Sequence, residues 1–267
     1  MSDVATSADG TRIAYDRVGT GPTVILVSGA MQYRAFDPMT SEMARRLAAH
    51  GFTVVDYDRR GRGESVAAGP FTLAQQIEDI AALVEANGGE AALFGGSSGG
   101  AISLAAAAAG LPITKLALWE VPLDVELGTD GAEFLAGLRE RIAAGNNERV
   151  IEYFMKDMPP EWLEGSRQSD AWPKMCAIAP SLEPDAESLA VSQSAPRAEL
   201  WANVAQPTLV LLGEETLPFM PAAADSIVRA LPNARLRTIR AAEHRWDPAV
   251  LTPVLAEFLG ASVPARP

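Results

Sequence analysis

Short apolar runs alternate with helical segments over most of this chain, and no other feature of the sequence constrains the fold as strongly. The runs TVILV (23–27), FTVVDYD (52–58), AALF (91–94) and KLALWE (115–120) have the length and composition of strands buried on both faces. The segments between them show the 3.6-residue periodicity of helices. This alternation predicts an α/β fold, in which a mostly parallel central sheet is flanked by helices.

The alternation begins with a hairpin and is interrupted once. The stretch from Ala8 to Val18 follows a turn signal and alternates apolar with polar residues, which predicts the second arm of a β-hairpin. Residues 121–206 contain helical patterns and prolines but no strand pattern of comparable quality, and the alternation resumes at PTLVLLGEE. We therefore predict a core formed by residues 1–120 and 207–267, with residues 121–206 inserted as a helical lid.

Charge and cysteine content argue against several classes of protein. With a formal net charge of −12 over 267 residues, the chain is not expected to offer the basic surface that nucleic acids and anionic membranes bind. Its one cysteine, Cys176, excludes an internal disulfide. The two histidines, His50 and His244, do not form a metal-binding pattern with that cysteine, so we expect neither a metal nor a cofactor.

Targeting and membrane signals are not recognisable. The N-terminal MSDVATSADG is polar and acidic and does not resemble a signal peptide. The apolar run AISLAAAAAGLPITKLALW is interrupted by Gly110, Pro112 and Lys115, which disfavours a membrane span. We expect a soluble, cytoplasmic protein that binds a small-molecule substrate rather than a nucleic acid or a membrane, and its oligomeric state stays open. The C-terminal ASVPARP is expected to be loosely held.

The stretch LFGGSSGGAIS (93–103) joins a predicted strand to a helix of small residues and contains the pattern G-x-S-x-G twice. Ser97 is central in one frame and Ser98 in the other. In a nucleophile elbow, the serine occupies a sharp turn, nearby glycines avoid clashes, and the helix N-terminus directs N–H groups at an oxyanion. A glycine-rich turn without a catalytic role is the alternative, as is a phosphate-binding loop, although the lysine typical of such a loop is missing.

Four motifs in a fixed order give the chain a resemblance to a known family. VSGA follows the third strand, YDRRGRGES the fourth, LFGGSSGG the fifth, and AAEHRWDP follows the last strand. From Thr6 to about Leu259 the chain resembles the α/β-hydrolase family, in which two of these motifs read D-x-R-G-x-G-x-S and L-x-G-x-S-x-G-G. The resemblance implies the α/β-hydrolase fold. The chain departs from the family at Ser28, where a histidine usually precedes the glycine.

The resemblance also implies roles for individual residues. Its register makes Ser97 the nucleophile, and Ser98 then supplies a backbone N–H to the oxyanion hole. The second oxyanion donor would be the N–H of Ala30, with that of Met31 as the alternative. His244 follows the last strand in the family order serine, acid, histidine, and an imidazole suits the acceptance of the serine proton.

The acid does not occupy the family's usual position, which is three residues after Gly213 and is held here by Thr216. Glu120 is the preferred acid, because a carboxylate at the end of a buried strand is unfavourable unless it has a partner. Zearalenone-lactone hydrolases, a minority of the superfamily, carry the acid on this earlier strand in a similar context. Glu214 and Glu215, predicted to lie in an acidic loop, stay as alternatives.

Other polar residues are predicted to be structural. Asp58 and Arg59 are expected to pair near the turn that follows their strand. His50 ends a predicted helix, where it would cap the helix or face solvent. Cys176 is expected to pack inside the lid, because Lys174 is the only basic neighbour in sequence that would lower its pKa.

The activity implied by the resemblance is hydrolysis of an ester or lactone through an acyl-enzyme. Aromatic and methionine residues in the lid favour a small, mainly apolar substrate. The same residues would suit hydrolysis of a C–C bond or perhydrolysis. A non-catalytic ligand-binding protein is the alternative from another class, because a fold does not determine a function.

Overall fold

One eight-stranded sheet forms the centre of the molecule. The computed structural model describes residues 2–260, so the C-terminal tail at 261–267 lies outside the described residues. The strands are β1 (Asp3–Thr6), β2 (Arg12–Gly19), β3 (Thr23–Val27), β4 (Thr53–Tyr57), β5 (Ala91–Gly96), β6 (Ile113–Trp119), β7 (Thr208–Glu215) and β8 (Ala234–Ala242). Their order is β1-β2-β4-β3-β5-β6-β7-β8. The β1–β2 and β2–β4 pairs are antiparallel and the other described pairs are parallel, which confirms the predicted mostly parallel sheet.

The N-terminal hairpin differs from the prediction in its bounds. Its second arm begins at Arg12 rather than Ala8, because residues 8–10 form the turn. The N–H of Ser7 donates to the Thr11 carbonyl at 2.8 Å and closes that turn. An alternating pattern does not separate a strand from the turn that leads into it, so the predicted boundary fell too early.

Helices cover both faces of the sheet. They are α1 (Pro38–Ala49), α2 (Leu73–Ala86), α3 (Ser98–Ala108), α4 (Asp130–Ala143), α5 (Asn147–Phe154), α6 (Pro160–Arg167), α7 (Trp172–Ala177), α8 (Glu183–Val191), α9 (Arg197–Leu200), α10 (Met220–Ala230) and α11 (Pro248–Leu259). Buried side chains of α2, α3 and α10 share one core with the sheet, and those of α1 and α11 share the other. Because α3 packs against the sheet, α2 and α8, it is apolar nearly all round.

The chain between β6 and β7 contains helices α4 to α9 and no strand among its described residues. We call residues 121–206 the helical insert. Its own core includes Leu138, Ile151 and Leu182. Ala30 and Met31, in the loop after β3, pack against this core. The helical insert therefore lies over the loop that follows β3.

The topology brings four loops to one edge of the sheet. Because β3, β5, β6 and β8 run parallel, the residues that follow them meet at their carboxyl ends. The chain direction across the sheet changes at β3, since β4 lies on one side of it and β5 on the other. Ligands in open α/β sheets bind outside the carboxyl ends of the strands at such a point.

Candidate active site

Ser97 occupies a sharp turn between β5 and α3, with backbone angles φ 55° and ψ −130°. Positive φ is unfavourable for a serine, and the neighbouring glycines leave the room that this turn needs. A Cβ on Gly95 would lie 2.6 Å from the Gly100 Cα, and a Cβ on Gly99 would lie 2.2 Å from the Val27 carbonyl oxygen. The Ser97 side chain is partly exposed, and its hydroxyl makes no hydrogen bond within residues 2–260.

The neighbouring Ser98 has a different environment. It is buried, and its hydroxyl donates to Asp185 Oδ1 of α8 at 2.7 Å. A hydroxyl that is buried and bonded to a carboxylate is not open to a substrate. As the first residue of α3, Ser98 has a backbone N–H with no intrahelical acceptor. The two serines of the double G-x-S-x-G pattern thus differ in accessibility.

Glu120 and His244 meet at the ends of β6 and β8. His244 Nδ1 lies 2.7 Å from Glu120 Oε2, and the backbone N–H of Gly213 donates to Oε1 at 2.9 Å. Burial by itself would raise the pKa of Glu120, but its contacts with His244, Thr216 and Gly213 lower that pKa overall, so the carboxylate is ionised at neutral pH. An imidazole that donates from Nδ1 keeps Nε2 as its acceptor.

Thr216 holds the position where the family usually places the acid. Its hydroxyl is buried beside the Glu120 carboxylate and helps to lower the pKa of that group. Glu214 and Glu215 end β7 rather than lying in a loop, and both are exposed. Neither carboxylate contacts His244 within the described chain. The structure thus brings Glu120, and not the two alternatives, to the histidine.

The loop that carries His244 is anchored by an aromatic side chain. Trp246 meets the rings of Phe94 and Trp119 edge-on, with centroid distances of 5.6 Å and 5.8 Å. The backbone N–H of Glu243 donates to the Glu215 carbonyl at 3.1 Å. These contacts fix the backbone on both sides of the histidine.

Strained backbone is concentrated at this edge of the sheet. Six non-glycine residues within residues 2–260 have positive φ, and five of them lie in the loops that follow β3, β5, β6 and β8. They are Met31, Ser97, Glu120, Glu243 and His244. Such conformations persist only where the surroundings enforce them, and they cluster at functional sites. Sequence reasoning had no signal for this strain outside the elbow.

The loop after β3 contains the proposed second oxyanion donor. A Cβ on Gly29 would lie 3.1 Å from the Ser97 Cβ, so this loop is adjacent to the elbow. The Gly29 N–H donates to Gln32 Oε1 at 2.9 Å. The N–H groups of Ala30 and Met31 have no acceptor in the part of the chain that the structure describes. Ser28, which holds the position where the family usually has a histidine, is buried beside this glycine.

The predicted pairing of Asp58 with Arg59 is wrong. Asp58 instead accepts from Arg34 Nη2 at 3.0 Å, and Arg59 Nη1 donates to Asp185 at 2.6 Å. Successive side chains of an extended chain point in opposite directions, so these neighbours reach different partners. Arg62 also pairs with Asp185 at 2.6 Å. Sequence reasoning missed this buried cluster, because Asp185 lies more than 120 residues away along the chain.

The two remaining candidates lie away from this site. His50 is exposed at the C-terminal end of α1, as predicted for a cap. Cys176 is half-buried in the helical insert, where burial raises the pKa of its thiol. Among residues 2–260, no three His, Cys, Asp or Glu side chains are grouped to hold a metal ion. The described helices include none with the length and apolar character needed to cross a bilayer.

Known proteins share both the sequence pattern and the fold. A sequence model of the Alpha/beta hydrolase family matches residues 24–253. The crystal structure of an alpha/beta hydrolase from Sphaerobacter thermophilus DSM 20745 is 37% identical, with a TM-score of 0.83 over 96% of this chain and 100% of that one. A thermophilic esterase from Thermogutta terrifontis is 23% identical, with a TM-score of 0.72 over 97% of this chain and 98% of that one. The enol-lactonase from Burkholderia xenovorans LB400 is 22% identical, with a TM-score of 0.68 over 96% of this chain and 99% of that one. The chain belongs to the alpha/beta hydrolase family.

Proposed function

We propose that this protein is a serine hydrolase that cleaves an ester or lactone of a small, mainly apolar molecule through an acyl-enzyme. Ser97 is the nucleophile, His244 the base and Glu120 the acid. The observation that carries the proposal is the 2.7 Å contact between the buried Glu120 carboxylate and His244 Nδ1, at the sheet edge where Ser97 stands on its strained turn. A carboxylate that holds Nδ1 presents Nε2 as the proton acceptor.

The chemical steps follow from these roles. His244 Nε2 takes the Ser97 proton as the oxygen attacks the substrate carbonyl carbon. The tetrahedral intermediate collapses, and the leaving oxygen takes the proton from the imidazolium. A water then attacks the acyl-enzyme and gives a proton to His244. The bond between the acyl carbon and Ser97 Oγ breaks, the imidazolium returns the proton to that oxygen, and the carboxylic acid product leaves. Glu120 stabilises the imidazolium in both halves of the reaction.

The oxyanion is held by backbone N–H groups of Ser98 and Ala30, with Met31 as the alternative to Ala30. Backbone donors are preorganised, so they stabilise the developing charge without reorganisation. Support comes from the closeness of the two loops and from the N–H groups of Ala30 and Met31, which lack an acceptor within residues 2–260.

The substrate class rests on the helical insert. Phe36 and Met31 border its core, which is built from aliphatic, aromatic and methionine side chains. Such surroundings suit an apolar acyl or alcohol group, with polar recognition confined to the reacting carbonyl. The esterase and the enol-lactonase share only the fold with this chain at their level of identity, so the proposal depends on the site itself.

The test is rapid-mixing kinetics with p-nitrophenyl esters of increasing acyl length, together with labelling by a fluorophosphonate. We expect a burst of one p-nitrophenol per protein, and a label that mass spectrometry places on Ser97. The control is Ser97→Ala, which should show neither. Cleavage of a vinylogous β-diketone and formation of peracetic acid are measured in parallel. If either reaction is faster than ester hydrolysis, the proposed ester or lactone chemistry is wrong. Ligand binding with no burst and no label would identify a non-catalytic binder.

A further inference from the structure

A buried cluster of two arginines and one aspartate connects the helical insert to the loop after β3 and to the start of α3. Arg59, Arg62 and Asp185 are all at most 2% exposed. Asp185 accepts from Arg59 at Oδ1 and from Arg62 at Oδ2, both at 2.6 Å. The proposed reaction uses none of these three side chains directly. Two buried cations with one anion are more charge than an isolated structural pair requires.

Arg62 uses every N–H of its guanidinium. Nε donates to Ser181 Oγ at 2.9 Å, and Nη2 donates to the Ser181 carbonyl at 3.1 Å and to Asp185 at 2.6 Å. Nη1 donates to the carbonyls of Gly29 at 2.7 Å and Gln32 at 3.2 Å. One half of the guanidinium thus binds the helical insert, and the other half binds the loop after β3.

The Gly29 carbonyl is chemically important because it belongs to the same peptide group as the N–H of Ala30. A charged donor on a peptide oxygen polarises that peptide and strengthens its N–H as a donor. The same bond holds the peptide plane in one orientation. Arg59 makes a similar but longer contact with the Ser28 carbonyl, at 3.3 Å.

Asp185 reaches the other half of the proposed oxyanion hole. Its Oδ1 accepts from the hydroxyl of Ser98 as well as from Arg59. One carboxylate of α8 is therefore bonded to the residue that supplies one oxyanion donor, and through Arg62 it is connected to the peptide that supplies the other. Both halves of the site depend on the position of the helical insert.

We infer that Arg62 and Asp185 are positioning residues, which align and polarise the oxyanion hole when the helical insert is docked on the core. This inference rests on the proposed hydrolase function. Arg62 acts on the Gly29–Ala30 peptide, and Asp185 fixes Arg62 and Ser98 relative to each other. Docking of the insert and activation of the site are then a single event.

The test compares Arg62→Lys with Arg60→Lys in p-nitrophenyl ester hydrolysis. Lysine keeps the positive charge but replaces the planar guanidinium by a single ammonium group. That group cannot donate to acceptors on the helical insert and on the loop after β3 at the same time. Arg60 is the matched control, because it is also buried and ion-paired, with Asp79 at 2.5 Å, but makes no hydrogen bond to the loop after β3 or to the helical insert within residues 2–260. Arg62→Lys should lower kcat about 10-fold, compared with roughly 100- to 1,000-fold for loss of a whole oxyanion donor, and should change KM less than about twofold.

Inhibition by an aryl trifluoromethyl ketone distinguishes a misaligned oxyanion hole from a general loss of folded structure. This ketone forms a tetrahedral adduct with serine, so its affinity should fall by the same factor as kcat in Arg62→Lys and stay unchanged in Arg60→Lys. Unfolding midpoints are measured for both variants, and kinetics are recorded below them. If Arg62→Lys does not fold, Ser181→Ala is used instead, because it removes one hydrogen-bond partner of Arg62. It should lower kcat several-fold and leave KM nearly unchanged. Equal kcat in Arg62→Lys and the parent, or a parallel loss in Arg60→Lys, overturns the inference.

A spectroscopic measurement needs no turnover. The sequence contains four Gly–Ala pairs, so labelling with carbonyl-¹³C glycine and ¹⁵N alanine gives one correlation for each. The Gly29–Ala30 signal, identified by its loss in Ala30→Gly, should move in Arg62→Lys and not in Arg60→Lys, while Gly100–Ala101 serves as a nearby reference. A stationary signal overturns the inference whatever the kinetics show. If the parent protein neither cleaves an ester nor labels, the proposed function fails, and a moving signal would still demonstrate the coupling between Arg62 and that peptide.

Discussion

Of the two adjacent serines in the elbow, Ser97 is partly exposed and Ser98 is buried, and the first prediction follows from this difference. Ser97→Ala should abolish turnover and fluorophosphonate labelling, because it removes the accessible hydroxyl. Ser98→Ala keeps the backbone N–H, so it should stay active and lose at most several-fold in kcat, through the lost bond to Asp185 that helps to position this N–H. It removes a hydrogen bond to the buried Asp185 carboxylate, so it should lower the free energy of unfolding by about 1–3 kcal/mol. Activity is followed with a p-nitrophenyl ester and stability by urea unfolding; an active Ser97→Ala with an inactive Ser98→Ala would assign the nucleophile to the other frame.

The second prediction concerns the acid. Glu120→Gln keeps the shape of the side chain but removes the charge that orients the His244 ring and stabilises its protonated form. We expect kcat to fall by about four orders of magnitude with little change in KM, as for an interaction made mainly in the transition state. Steady-state kinetics on one activated ester measure the loss.

Glu215→Gln and Glu214→Gln are the controls for this measurement. Both glutamates are exposed at the end of β7, so each substitution should change turnover less than about twofold. Near-normal turnover in Glu120→Gln together with a collapse in Glu215→Gln would move the acid to the later strand.

Residue-level reasoning from the sequence reached some of these side chains and not others. Ser97 and His244 could be proposed because the chain resembles the α/β-hydrolase family at the motifs that contain them, and Glu120 because it ends a buried strand. The structure brings Glu120 and His244 into contact. Whether they act together in catalysis stays a prediction. Arg62 and Asp185 could not be paired, because they are brought together only by the docking of the helical insert on the core.

At the scale of elements, the glycines of the elbow make the third prediction. Gly99 lies in α3, and a Cβ there would overlap the Val27 and Ser28 carbonyl oxygens, at 2.2 Å and 2.7 Å. These are backbone atoms of β3 and its loop, which cannot rotate aside. Gly99→Ala should therefore lower the free energy of unfolding by about 3 kcal/mol or more. Urea unfolding monitored by circular dichroism measures the change.

A second helical glycine provides the matched control. Gly165 of α6 is exposed, and no atom lies within 4 Å of a Cβ built there. Gly165→Ala should raise the free energy of unfolding by about 0.5–1 kcal/mol, because alanine favours the helix. Equal effects of the two substitutions would show that close contact with β3 does not explain the glycine at position 99.

Elements of the core could be predicted because each has one dominant signal. The buried strands β3 and β4 are short, mainly apolar runs, and α2 has amphipathic periodicity. The hairpin arm was begun too early, because its alternating pattern continues into the turn, and β7 was ended too early, because its two terminal glutamates resemble a loop. Helices α4, α5 and α7 of the insert follow from the helical patterns at 131–145, 147–158 and 170–179, whereas α6, α8 and α9 were not predicted. Nothing in those patterns specifies which helix faces meet the loop after β3.

At the scale of the whole molecule, Asp56 makes stability depend on pH. It lies in β4 and is 6% exposed. Burial, together with repulsion from Asp37 and Asp58, raises the pKa of Asp56 from 3.8 to about 7, although Ser41 and Arg34 oppose the rise. The folded state therefore binds this proton more tightly than the unfolded state does. Its contribution to stability is fully present below about pH 4 and is lost as the pH rises through about 7.

The fourth prediction follows from that sign. Asp56→Asn removes the charge and keeps an acceptor for the Ser41 hydroxyl. The variant and the parent should differ little at pH 4, and the variant should be more stable by up to about 4 kcal/mol at pH 8. The measured quantity is the difference in free energy of unfolding between the two proteins from pH 4 to 8. A difference that stays constant over this range would contradict a raised pKa.

The buried pairing of Asp185 with two arginines of the core bears on how such proteins are re-engineered. An insert transplanted from a relative between β6 and β7 would have to bring its own carboxylate to this place. Without one, Arg59 and Arg62 would be enclosed with no counter-ion, a penalty of several kcal/mol. A chimera that lacks this carboxylate should be recovered in soluble form only when Arg59 and Arg62 are exchanged along with the insert. The helical insert and these two core residues therefore have to be changed together.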